Sequence, residues 1–355
     1  MMGLFDRWAA SGAFTYSDLA IYRIVYSVLV LISLPQISFV SSFPDSLYAP
    51  APGPFRLLSG VPPQPILFTI QVLLALSLAC LVVGLHTRLA SLATGVLFLV
   101  SFGFLYSFGK VDHAILVAVV PLVLCGSGWG ERLSLDSLRR NGHGASPVSP
   151  PQWPLRLLAL LIGLAFSTAA LAKYRSGWLD TSTQSAQGHF LKKYVAEGRT
   201  DGLAPLLADL HSRAAWELID WLTVAIEIGM LVAVVTWPTF RAMLAVACVF
   251  HLSILLTLGI AFSSNVIAYG AFVGWAGLVS PVLRAIGRGQ PRTLSPYAIY
   301  ALIPVLTAIG LYLQAASSPH ANHLVAESMV GIGAMFGVVY LLVASGRAAR
   351  RLRPT

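Results

Sequence analysis

Apolar runs of about twenty residues recur along the whole chain, and no other feature limits its possible folds so strongly. They fall near residues 18–35, 66–84, 88–108, 112–126, 155–174, 216–236, 240–259, 262–280, 296–315 and 325–345. Hydrocarbon about 30 Å thick takes around 20 residues of helix to cross, because in lipid each backbone N–H and C=O must be satisfied within the segment. Of the 355 residues, 57% are hydrophobic and 10% charged, whereas a soluble domain carries about 25% charged residues. A β-barrel would alternate apolar and polar residues in short segments, and that alternation is missing. The expected fold is an all-α, polytopic integral membrane protein with about nine or ten transmembrane helices. The 112–126 window is short and reads as tilted, partly re-entrant or fused to its neighbour.

Proline and glycine punctuate the connections, as in "YAPAPGPF", "GVPPQP", "GASPVSPPQWP" and "GRGQP". No repeat of fixed period and no separate soluble domain stands out, so residues 1–355 read as a single transmembrane domain. The longest connection, 175–215, has the composition of one or two short amphipathic helices lying on the membrane. The net charge of +9 is explained by orientation and not by nucleic acid. Arg7, Arg88, Arg132, Arg139, Arg140, Arg241, Arg284, Arg288 and Arg292, with Arg347, Arg350, Arg351 and Arg353 of the tail, fall in one set of alternate connections. The short connections of the other set hold Arg56 and Lys110. Positive residues stay inside, so both termini are expected to be cytoplasmic, in a multi-pass plasma-membrane protein. The first twenty residues carry acidic and aromatic side chains and no small-residue cleavage site, and read as an interfacial segment. Cys80, Cys125 and Cys248 lie within apolar runs without CxxC or Cys/His spacing, so no disulfide framework and no metal site is expected.

This orientation gathers unusual residues on the outer side. Lys173 closes its apolar run in "LAKYRSGWLD", Asp112 and His113 open another in "GKVDHAIL", and His251 lies two turns inside "FHLSILLTLGI". His320 and His323 read as loop residues in "SPHANH". Glu227 is a carboxyl in mid-run, expensive unless paired or functional, and Arg23 is a charge inside the first run, a candidate partner for Glu227 or Asp18. Each has a plain structural explanation. A lysine at a helix end snorkels to the headgroups, Asp112–His113 fits a solvated turn, and a helical histidine hydrogen-bonds between packed helices. The alternative takes them together as a dry, lipid-accessible pocket for a lipophilic substrate with a weakly acidic hydroxyl. A lysine acts as base only when neutral, so burial and the nearby Arg175 would have to lower its pKa from about 10.4. A histidine at the site could stabilise the resulting oxyanion, with Trp178, Tyr174 and Tyr194 closing the pocket at the interface.

The pattern resembles a known family. "KYRSGW" is similar to the catalytic-lysine segment of vitamin K-dependent γ-carboxylases and their bacterial relatives, the horizontally transferred transmembrane (HTTM) domain proteins. "DHAILVAVVPLVLCGSGWGERLSLD" resembles their histidine-containing span with its Trp/Ser-Leu-Asp ending, "FHLSILLTLGIAFSSN" a later histidine helix, and "LAIYRIVYSVLVLISL" the arginine-bearing first span. The resemblance covers roughly residues 15–280 and keeps the motifs in order. It implies Lys173 as the base that deprotonates a reduced vitamin K or menaquinol-like hydroquinone, His113 as the histidine supporting that base or its product anion, and His251 as a pocket residue. The anion would then react with oxygen, giving a quinone epoxide and a strong base, without metal or bound organic cofactor.

The chain also departs from the carboxylases. Asp112 stands where they have asparagine, and the chain ends at Thr355 without their large lumenal substrate-binding region. Both departures weigh against glutamate carboxylation. Stand-alone HTTM proteins include the membrane protein that matures a sporulation-delaying peptide toxin. An accessory role in maturing or exporting a secreted peptide, toxin or lipoprotein is therefore the alternative to quinol-dependent epoxidase chemistry in a bacterial plasma membrane. The expected partners are membrane lipids, a lipophilic quinol and a secreted peptide or protein. A transporter, which would show inverted repeats and discontinuous helices, ranks last.

Overall fold

The computed structural model describes residues 3–109, 111–140, 149–286, 296–316 and 319–351. Every regular element among them is helical: α1 (Leu4–Ala10), α2 (Tyr16–Ile32), α3 (Gln64–Val83), α4 (Thr87–Tyr106), α5 (Leu116–Leu124), α6 (Leu135–Arg140), α7 (Trp153–Arg175) and α8 (Ser185–Leu191). There follow α9 (Ala204–Ala208), α10 (Arg213–Ala233), α11 (Trp237–Leu258), α12 (Ser263–Tyr269), α13 (Trp275–Ile286), α14 (Pro296–Ala316) and α15 (Pro319–Arg351). Two compact units divide the chain, Met1–Leu158 with Ile267–Asn322 and Ala159–Val266 with His323–Thr355. Lys110, Arg288, Arg292 and Arg353 lie outside the described residues.

Six of these helices are long and apolar enough to cross a membrane: α3, α4, α7, α11, α14 over Ile299–Ala316 and α15 over Ala321–Ala348. The chain is thus a helical membrane protein, but among the described residues six helices, and not the expected nine or ten, have that length and composition. The run at 18–35 becomes a helix of 17 residues that stops at Ile32, short of Pro35, since a residue before proline is pushed out of helical backbone. The 112–126 run opens as a 3-10 turn, His113–Ile115, and continues as the nine residues of α5 with Pro121 inside. The 262–280 run is broken into α12, a 3-10 turn at Gly270–Phe272, and α13. The 216–236 run does form α10, but Arg213, Glu217, Asp220 and Glu227 interrupt its apolar character. His320 and His323 are not loop residues: α15 starts at Pro319, so both lie on its first turns, and His323 pairs with Glu327 at 3.1 Å.

In the first unit α3 is the central element, packed by α2, α4 and α14, with α5 against α4 and α13 against α2. Thr15 and Asp18 cap α2 reciprocally, and the other Asp18 oxygen takes the Ala276 N–H at the start of α13, 2.8 Å away. Arg23 is completely buried. Its guanidinium donates to the carbonyls of Trp129 (2.9 Å), Arg132 (3.4 Å) and Leu133 (2.5 Å). Leu133 has a positive φ of 49°, so Arg23 grips a strained turn. Trp129 packs beside Tyr22 and Tyr26, whose hydroxyls donate to Ile267 and Val117 carbonyls.

The second unit contains α7 from Ala159 onward, α8, α9, α10, α11 and most of α15. The 175–215 connection does form two short helices, α8 (prolonged by a π-turn, Lys192–Ala196) and α9. Phe190, Ala204 and Trp216 join these to the start of α10 in one apolar cluster. A Cβ on Gly163 of α7 would come within 3.0 Å of the Leu231 Cα on α10, so the two helices touch backbone to backbone. Small residues permit this approach between helices in lipid.

Candidate functional site

The Gly163–Leu231 approach fixes what meets further along. Lys173 lies ten residues beyond Gly163 on α7 and Glu227 four residues before Leu231 on α10, so the two helices run antiparallel. Helical side chains lean toward the N-terminus of their own helix, which sends the long lysine stem down α7 to the carboxylate. Lys173 Nζ donates to Glu227 Oε1 at 2.5 Å. The pair is largely out of water, with side chains 22% and 8% exposed. The lysine is therefore turned inward to a buried carboxylate and is not a freely snorkelling helix end.

The turn after α7 covers this pair. Gly177 takes a positive φ of 83°, the Trp178 N–H donates back to the Lys173 carbonyl at 3.1 Å, and Thr183 Oγ1 donates to the Gly177 carbonyl. This turn lays the indole of Trp178 under the ammonium, 5.2 Å from Nζ to the ring centroid. Cation–π attraction of this kind strengthens as water is excluded. His189 of α8 also packs against Trp178, at 5.5 Å between ring centroids. The N-terminus of α8 is held in turn by Asp220 of α10, whose Oδ1 accepts the Ala186 N–H at 2.9 Å. Lys173, Glu227, Trp178, His189 and Asp220 thus form one polar assembly inside the second unit.

His251 belongs to the same unit but has an aromatic setting. It stacks on Phe262 at 4.4 Å and lies near Phe166 and Phe250, at 6.0 and 5.9 Å. Phe166 is two turns before Lys173 on the same face of α7, so the imidazole and the ammonium address that face about 10 Å apart along its axis. One face of α7 thus meets an imidazole packed among aromatic rings and, further along, an ammonium held by a carboxylate.

The other predicted site residues lie in the first unit. Asp112 caps the turn that starts at His113, accepting the Ala114 N–H at 2.8 Å and the Tyr106 hydroxyl at 3.2 Å. Its carboxylate therefore orders the local turn, which is what adjacency in sequence favours over orienting the neighbouring imidazole. Arg23 holds three carbonyls in place of the expected partners, because its planar fork suits converging acceptors. Asp18 is engaged by α2 and α13, and Glu227 by Lys173.

Asp220 and His189 were not singled out from the sequence, although "WELIDWLTVAIE" carried a signal. Glu217, Asp220 and Glu227 repeat at helical spacing, with Thr223 among them, and a polar stripe inside an apolar run marks a buried polar face. His189 gave no such signal, because α8 is too short to show a period.

A sequence profile described as the HTTM domain matches residues 13–270. No curated protein and no solved structure shows a significant match to the chain.

Proposed function

As the chain belongs to the HTTM domain family, and its apolar helices make it an integral membrane protein, we propose that it deprotonates a lipophilic hydroquinone with Lys173 as base. The observation that carries this reading is the Lys173–Glu227 pair under Trp178. The contact places an acceptor for the Lys173 proton within hydrogen-bond distance, as proton transfer to and from the site requires. Glu227 accepts the ammonium proton and leaves a neutral amine. That amine takes the substrate O–H proton, and the returning ammonium faces the new oxyanion and the Trp178 ring. His251 and Phe262, in the same unit, are assigned to the ring system of the substrate. The quinol with oxygen supplies the oxidising chemistry, while these residues bind, orient and move the proton.

The test is epoxide formation from a reduced naphthoquinone by the full chain in nanodiscs under oxygen. Lys173→Ala should lower the rate by at least about 100-fold, within the range of general base contributions, without loss of folded protein. Product that persists in this variant, or folded wild type inert toward several quinols, would move the assignment to maturation of a secreted peptide or protein.

A further inference from the structure

The buried face of α10 holds more carboxyl chemistry than Lys173 uses. Glu217, Asp220, Thr223 and Glu227 follow at intervals of three, three and four residues, which stacks them about one turn apart, with Cβ atoms roughly 5–6 Å from one to the next. Asp220 and Glu227 are 0% and 6% exposed, and Thr223 is buried between them. Among the described residues no donor meets Asp220 Oδ2, Glu227 Oε2 or either Glu217 oxygen, although all four atoms are shielded from solvent. The charged or titratable groups acting on Asp220 are Glu217 on its own helix and His189 on α8, and the one facing Glu227 is Lys173 of α7.

The buried Asp220 and Glu227 and the half-buried Glu217, all ionised and answered by a single ammonium, would be costly to desolvate and would repel one another at helical spacing. A proton on Asp220 reduces both costs and turns its orphaned acceptor into a donor. Thr223 already donates to the Ile219 carbonyl at 2.8 Å, so its lone pairs are left to accept from a neighbour. The stripe ends one turn from the exposed Arg213 at the start of α10.

We propose that this face of α10 is the proton path of the site, running from Glu227 through Thr223 and Asp220 to Glu217. The proposal rests on the reading of Lys173 as base. Each turnover needs one proton removed: the Lys173 ammonium gives its proton to the Glu227 carboxylate, and the Glu227 acid passes it along hydroxyl, carboxyl and bridging water. Glu217 releases it at the helix end. Lys173 is then a neutral amine and Glu227 a carboxylate, ready for the next substrate proton. Asp220 has a second duty in holding α8, but only one of its oxygens serves it.

The experiment uses the full chain in nanodiscs and two readouts. Infrared spectroscopy at neutral pH should show the carbonyl stretch of a buried protonated carboxyl, lost in Asp220→Asn and weakened in Glu217→Gln. The asparagine can still accept the Ala186 N–H, so folding is preserved. On mixing with reduced naphthoquinone and a pH-indicating dye, Asp220→Asn and Thr223→Val should release protons at least about tenfold more slowly, with quinol affinity unchanged and the rate restored by imidazole in the medium. A band untouched by Asp220→Asn, or proton release untouched by both variants, overturns the path. A missing band alongside Lys173-dependent product defeats the path alone. An intact band with product formed equally by Lys173→Ala defeats the base assignment, and the path with it.

Discussion

Removing one partner of the Lys173–Glu227 pair and removing both are different perturbations. A single Glu227→Ala exchange strands an ammonium against apolar surroundings, and the usual cost of breaking such a pair is about 3 kcal/mol, less whatever the lysine's partial exposure recovers. Replacing both, as Lys173→Met with Glu227→Leu, leaves nothing stranded and should return the thermal midpoint close to that of the wild type while abolishing proton transfer. A double-mutant cycle of thermal unfolding in detergent checks this, and strictly additive losses would mean that the two groups do not depend on each other. Arg23 makes the contrasting case. Its fork satisfies three carbonyls at once, so Arg23→Lys should destabilise by about 2–3 kcal/mol despite keeping the charge, because a single ammonium cannot span them. A loss confined to charge-removing variants such as Arg23→Met would overturn that account. Lys173, Glu227 and Arg23 were each visible in the sequence as charges in apolar surroundings. Their partners were not, since Lys173 and Glu227 are 54 residues apart and meet only because Gly163 brings α7 against α10.

Element ends explain much that the apolar pattern left blank. Between α3 and α4 the chain reverses through Gly84, at a φ of 70°, where a Cβ would fall 2.3 Å from the Ser134 Cβ. Asp136, the aspartate of "LSLD", then closes the start of α4, accepting from the His86 and Thr87 N–H groups at 2.8 and 2.7 Å and from the Thr87 hydroxyl. Partial burial alone would raise its pKa, but these hydrogen bonds outweigh burial and hold the carboxyl below the usual carboxylate range. The folded state therefore binds this proton more weakly than the unfolded chain does. Its stabilisation is complete above the unfolded value of about 4 and is lost as pH falls through the lower folded value. Thermal midpoints between neutral and strongly acidic pH should drop less in Asp136→Asn than in the wild type; parallel curves would show that the cap is not the acid-sensitive element. The sequence marked "LSLD" as a family ending without showing that it caps another helix. The reason is physical, since a cap formed across 49 residues leaves no local period, whereas the Thr15–Asp18 box lies within four residues.

At the scale of the whole chain, the apolar runs identified an all-helical membrane protein and the resemblance of four motifs its HTTM membership, while the count of spans went wrong wherever length and hydropathy parted. A helix of 17 residues such as α2 reaches about 26 Å, a little short of the hydrocarbon, and the nine residues of α5 reach about 14 Å. Alpha-helical α10 has the length but carries the carboxyl stripe. The positive residues near the two ends, Arg7 with Arg347 and Arg350, lead to the expectation that both ends are cytoplasmic, which requires an even number of crossings. Reporter fusions at the two ends should both read cytoplasmic, and opposite readings would require an odd number of crossings. The face of the Lys173 site follows from a second measurement in intact cells, on a variant with Cys80, Cys125 and Cys248 replaced and a single cysteine at the exposed Val195, 74% accessible in the 175–215 connection. A membrane-impermeant maleimide should label it from outside. Labelling only after lysis would put Lys173, Glu227 and the α10 proton path on the cytoplasmic side, where protons would be released inward and a substrate awaiting export would meet the site before crossing.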